Sequence, residues 1–212
     1  MSTYDLEEQE QLASLKAWWK DNGGMIVAIL AAILVVITAW NGWNWYQRSQ
    51  SASAGSMYEQ LQRAARTNDV KSVRDTAGAI LEQYPRTAYA PLAALISAKV
   101  HFQSGDSKTA RAQLEWAVGK ARSDDIKALA SLRLAAVLLD ENALDEASRV
   151  VGGKAPTGFE ALYYSMRGDI LVAQKKLPDA RSAYKAALDL NEKLDPSVRE
   201  VVRLKLDALG DS

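Results

Sequence analysis

The chain has 212 residues, no cysteine, a single histidine, and 26 basic side chains against 26 acidic ones. The missing cysteines exclude disulfides, thiolate metal centres and cysteine nucleophiles together, and the balanced, interspersed charge excludes the clustered Lys and Arg of a nucleic-acid surface. Residues 57–212 are rich in Ala, Leu, Arg, Lys and Glu and poor in Phe and Gly, which predicts an all-α domain.

Residues 5–20 come first, with Leu12, Leu15 and Trp19 at spacings of three and four and the charges of Glu7, Glu8, Glu10 and Lys16 largely elsewhere. That stripe predicts a short amphipathic helix, read either as an interfacial helix leading into a membrane or as a docking handle for a membrane partner. Asn22-Gly23-Gly24 predicts a helix stop, because Gly adopts the left-handed capping conformation without strain, and closes a segment 1–24.

A membrane anchor is expected over 25–46. No charged side chain lies between Asp21 and Arg48, and about twenty apolar residues in a helix cross a hydrocarbon core ~30 Å thick. Trp40, Trp43, Trp45 and Tyr46 gather at one end, where amphipathic rings favour the headgroup layer, and Lys16 and Lys20 lie beyond the other. Those two lysines against Arg48 orient the N-terminus to the cytoplasm. Ala52-Ser53-Ala54 has the form of a signal-cleavage site, but the leader carries Asp5, Glu7, Glu8, Glu10 and Asp21, and the Trp cluster separates the apolar run from Ala54; an uncleaved anchor is the better reading. The small polar residues of 47–56 read as a linker or a loosened helix end.

From Met57 onward the pattern repeats. Val73, Ala110, Ala147 and Ala180 are spaced 37, 37 and 33 residues apart; twelve residues earlier come Leu61, Ala98, Ala135 and Gly168, and four later Ala77, Leu114, Val151 and Tyr184. Small residues where antiparallel helices approach closely, beside larger apolar fillers, give the tetratricopeptide arrangement. The packing positions are therefore Ala98, Ala110, Ala135, Ala147, Gly168 and Ala180. Helix pairs are expected at 57–67 and 70–84, 88–104 and 107–121, 124–140 and 143–151, and 158–174 and 178–191. Asp106 and Ser123 are their candidate caps, and Pro178 sits in a first turn. A last helix from Asp195-Pro196 to about Leu209 would cap the stack. Arg122, Lys154 and Glu192 depart from the repeat pattern, so the 57–212 domain reads as tetratricopeptide-like.

Chemistry is sparse. His101 stands alone in a filler slot, without the partners a metal or catalytic role needs. Gly152-Gly153 lacks the remainder of a phosphate loop. The pairs Asp124-Asp125, Asp140-Glu141 and Asp145-Glu146 fall at helix ends or first turns. No enzyme, cofactor, metal or small-molecule substrate is expected.

Taken with the anchor and repeats, the run Glu10-Gln11-Leu12-Ala13-Ser14-Leu15-Lys16-Ala17-Trp18-Trp19-Lys20-Asp21-Asn22-Gly23, Tyr89-Ala90-Pro91-Leu92-Ala93, Leu132-Arg133-Leu134-Ala135 and Arg167-Gly168-Asp169 resemble the YfgM family, ancillary subunits of the bacterial SecYEG translocon. The resemblance covers nearly the whole chain. It implies an inner-membrane adaptor with a cytoplasmic N-terminus and a periplasmic repeat domain, associated with the translocon and with the membrane-anchored periplasmic chaperone PpiD. It carries over no catalytic residue. Leu12, Leu15, Trp18 and Trp19 are the expected points of contact with a membrane partner. A tethered scaffold for another envelope assembly machine is the alternative.

Overall fold

A computed structural model describes residues 4–190 and 195–210, with side chains from Glu10 onward. Glu192, the end of the expected 178–191 helix, and the side chains of Asp5, Glu7 and Glu8 lie outside the described residues. Among those described, every regular element is an α-helix. The chain divides into two compact units, one up to Ser49 and one from Gln50.

Helix α1 runs unbroken from Tyr4 to Arg66 over 63 residues, so the expected stop at 22–24 is corrected to helix, and 47–56, read as a linker or a loosened helix end, is helix as well. At the first site the Asn22 amide donates to the Trp18 carbonyl at 3.0 Å, within the helix instead of across a turn. The Trp19 indole covers Gly23 so closely that a Cβ there would lie 3.1 Å from its Cε2. Next to an apolar span the helix also keeps backbone groups satisfied where lipid offers no partners. At the second site the small residues are packing surface: Ala54 is fully buried, and a Cβ on Gly55 would meet the Tyr89 ring at 3.2 Å. The Tyr58 and Tyr89 rings then meet at a tilt of 44°, with centroids 5.4 Å apart.

The second unit continues with α2 (Val70–Gln83), α3 (Tyr89–Gln103), α4 (Ser107–Lys120), α5 (Asp124–Asp140), α6 (Leu144–Val151), α7 (Glu160–Ala173), α8 (Leu177–Asp189) and α9 (Pro196–Asp207). The end of α1 and α2 form the first hairpin, followed by α3/α4, α5/α6 and α7/α8. Every hairpin turn contains one left-handed residue: Asn68 (φ 52°), Gly105 (86°), Asn142 (58°) and Lys175 (61°). These recur at the same 37, 37 and 33 spacing as the small helix positions. The following amide closes back onto the carbonyl five residues earlier, as in Asp69 to Ala64 at 3.0 Å, Asp106 to His101 at 2.9 Å, Ala143 to Leu138 at 2.8 Å and Lys176 to Leu171 at 2.9 Å. This is the Schellman closure, which satisfies carbonyls that a helix end leaves unpaired.

Asp69, Asp106, Ser123 and Asp195 cap α2, α4, α5 and α9, accepting from backbone amides two or three residues on. Core clusters fill the hairpins and the spaces between them, with Leu61, Val73 and Ile80 at the first junction and Leu114, Leu138 and Val151 in the middle. Helix α9 closes the far end by burying Val202 against Tyr184 and Ala187. Its Glu200 and Arg203 side chains stay exposed, the polar outer face that a terminal cap requires.

Candidate interaction surfaces

The six small positions all lie inside the second unit: Ala98 is 2% exposed, and Ala110, Ala135, Ala147 and Ala180 are fully buried. Gly168 is buried too, and a Cβ there would fall 2.6 Å from Tyr184 Cδ1 and 2.8 Å from Cζ, so the α7/α8 hairpin closes only over a glycine. The hydroxyl of Tyr184 donates to Asp169 Oδ1 at 2.7 Å, and Lys205 of α9 donates to Asp169 Oδ2 at 2.7 Å. Burial, then the bond to Asp169, pushes the phenol pKa up and keeps it neutral. The neighbouring Arg167 donates from Nε to the Val151 carbonyl at 2.6 Å and from its terminal nitrogen to Gly153. It thereby caps the short α6, where a cation also complements the helix dipole.

Sequence reasoning missed a second periodic position, one residue beyond each small site of the second helices. Arg111 contacts Glu115 at 2.8 Å in its own helix, then Glu141 at 3.2 Å and Glu146 at 2.5 Å in the next hairpin. Gln174 donates to Ser148 at 3.2 Å, and Arg181 donates to the Leu209 carbonyl at 3.3 Å and to that of Gly210 at 2.5 Å. Each residue reaches from one hairpin to the turn or cap of the next. The recurrence of Arg74, Arg111 and Arg181 was the available signal; the partners of Arg111 and Arg181 lie in turns and helix ends the pattern does not specify.

The first helices of the hairpins form a groove of three cavities in succession. One of about 290 Å³ lies between the end of α1 and α3, one of about 480 Å³ between α3 and α5, and one of about 350 Å³ among α5, α7 and α9. Equivalent repeat positions line them: Ile96, Arg133 and Met166 in one row, Lys99, Ala136 and Asp169 in another. Phe102 is 39% exposed in the middle cavity and Val201 50% exposed in the last.

His101 faces away from solvent entirely, and neither ring nitrogen has a hydrogen-bond partner. Its Nδ1 lies 3.5 Å from an Asp106 carboxylate oxygen. Burial holds the imidazole pKa below its ordinary value, with Asp106 opposing. Asp106 is itself held low by its hydrogen bonds from Thr109, so its first commitment is to cap α4.

In the first unit α1 is long and apolar enough to cross a membrane. Trp19 and Trp40 are 21 residues apart, or about 32 Å at ~1.5 Å per residue, which matches the hydrocarbon thickness. Leu12, Leu15, Trp18 and Trp19 are each more than half exposed.

The tetratricopeptide repeat-like domain family matches residues 16–211. The chain is 28% identical to an ancillary SecYEG translocon subunit of Haemophilus influenzae, over 97% of this chain and 99% of that protein. It is 29% identical to one of Neisseria gonorrhoeae, over 96% and 98%. Among solved structures, a MamA RS-1 ArsTM double mutant shares the fold with a TM-score of 0.53 at 18% identity, covering 74% of this chain and 93% of that one.

Proposed function

Because the chain belongs to the tetratricopeptide repeat-like family that matches its residues 16–211, and such stacks act by binding, we propose that it is a membrane-anchored adaptor of the SecYEG translocon. The observation that carries this reading is similarity to translocon subunits from end to end, anchor and repeats together, since repeats alone occur in many unrelated machines.

In this reading residues 1–24 lie in the cytoplasm, 25–46 cross the inner membrane, and the repeats stand in the periplasm. The Lys16 and Lys20 bias supports that orientation. The repeat domain links the translocon to the chaperone PpiD during export of envelope proteins, and no chemical step is involved. Leu12, Leu15, Trp18 and Trp19, exposed on α1, face lipid headgroups or a membrane partner, while the groove of the first helices recognises a periplasmic one.

Full-length protein solubilised in mild detergent should capture both SecYEG and PpiD. Capture of neither, with the translocon intact, would remove the adaptor reading and favour a scaffold of another envelope assembly.

A further inference from the structure

Charge and apolar surface are segregated along the groove. In the middle cavity Lys99 and Arg133 are exposed beside Phe102 and Gln103, and neither cation has an ion-pair or hydrogen-bond partner among the described residues. Arg66, likewise unpaired, lines the preceding cavity with Lys99. Asp140 is the one carboxylate lining the middle cavity, against the two cations. In the last cavity the charges cancel within the protein, because Lys205 and Asp169 hold each other at 2.7 Å. The rest of that lining is mainly apolar, from Leu132, Leu162, Met166, Val198 and Val201.

The geometry points to one occupant: an extended polypeptide segment whose acidic residues lie over Arg66, Lys99 and Arg133 and whose apolar residues lie over Met166 and Val201. This rests on the reading of the groove as the recognition surface, and it names the chemistry selected there. Exposed, unpaired cations attract carboxylates at a distance and reject a basic segment. The self-neutralised Asp169–Lys205 pair leaves the far end with no charge to offer, so burial of apolar side chains provides the contact there.

The test uses full-length protein in detergent and three labelled peptides of about twelve residues, ~40 Å when extended. One has a Glu/Asp-rich half followed by a Leu/Val-rich half, the second replaces every acid by Lys, and the third is acidic throughout. The first peptide should bind at least tenfold more tightly than either other and weaken with added salt. Lys99→Glu with Arg133→Glu, two surface changes, should abolish the preference for acid over Lys, and Val201→Asp should reduce binding of the first peptide by a similar factor. Equal binding of the acidic and Lys peptides would overturn the inference while leaving SecYEG capture, and so the adaptor reading, untouched. Acid-selective binding that survives both sets of substitutions would overturn it as well, by placing the site outside the groove.

Discussion

Gly168 shows how a single hydrogen atom sets a hairpin. The Tyr184 ring occupies the space where any other residue would put its Cβ, and the hydroxyl of that ring is anchored on Asp169, which is in turn tied to α9. Overpacking typically costs ~1–3 kcal/mol, a large share of the ~5–15 kcal/mol by which a domain is stable. Gly168→Leu should therefore lower the melting temperature of the full-length protein sharply and Ala110→Leu should lower it too, whereas Lys108→Leu, at an exposed site on α4, should leave it nearly unchanged. Equal shifts at the three positions would show that the small residues are not packing sites.

His101 makes a prediction of opposite character, since it concerns a proton. Its folded pKa is depressed by burial below the ordinary 6.5, so below that pH the unfolded chain takes up a proton that the folded chain refuses, and stability falls with falling pH. The loss begins near pH 6.5 and continues down to the folded pKa. Asp69, Asp106 and Asp195, also depressed, add their own loss only further down, below the ordinary 3.8. Denaturant titrations between pH 7 and 5 should show the decline in the natural chain and not in His101→Leu, a substitution that installs what Leu138 and Leu171 supply in the equivalent slots. A flat profile in the natural chain would mean that His101 finds a partner for its charge.

At the scale of elements, hairpin positions were legible because the requirement for a small residue recurs at fixed spacing, and the small residues placed the turns within a residue or two. Helix α1 was misread for the same kind of reason: Asn22-Gly23-Gly24 and the Ser/Ala/Gly run near residue 54 look like punctuation when judged by local propensity. Both gain tertiary or intrahelical partners that propensity does not see, the Trp19 ring in one case and Tyr89 in the other. The groove was less legible still, because it depends on which face of each first helix stays uncovered. Lys175 carries no signal for a left-handed turn, yet it takes that conformation at φ 61° because hairpin packing imposes it. Continuity of α1 is testable with proline, which costs ~3 kcal/mol or more inside a helix and little in a linker. Ser53→Pro should destabilise the repeat unit markedly in thermal melts; an unchanged melting temperature would restore the linker.

For the whole molecule, the division of labour between its two units is the open physical question. On the proposed reading the anchor supplies proximity: tethering raises the effective concentration of a weakly binding domain near its partners without any new contact. The repeat groove can then be modest in affinity, consistent with separate cavities and a partly exposed lining. Leu12, Leu15, Trp18 and Trp19 on α1 are each more than half exposed, and on the proposed reading they contact a membrane partner. Replacing residues 1–46 by an unrelated anchor of the same orientation, spliced as uninterrupted helix, should abolish capture of SecYEG and spare capture of PpiD. Protease added to inside-out inner-membrane vesicles should leave the repeats intact in both proteins, which verifies that the exchange preserved topology. Persistence of SecYEG capture in the exchanged protein would move the translocon contact onto the repeats. Loss of PpiD alone would place the chaperone contact on α1, and the groove would then serve the exported chain directly.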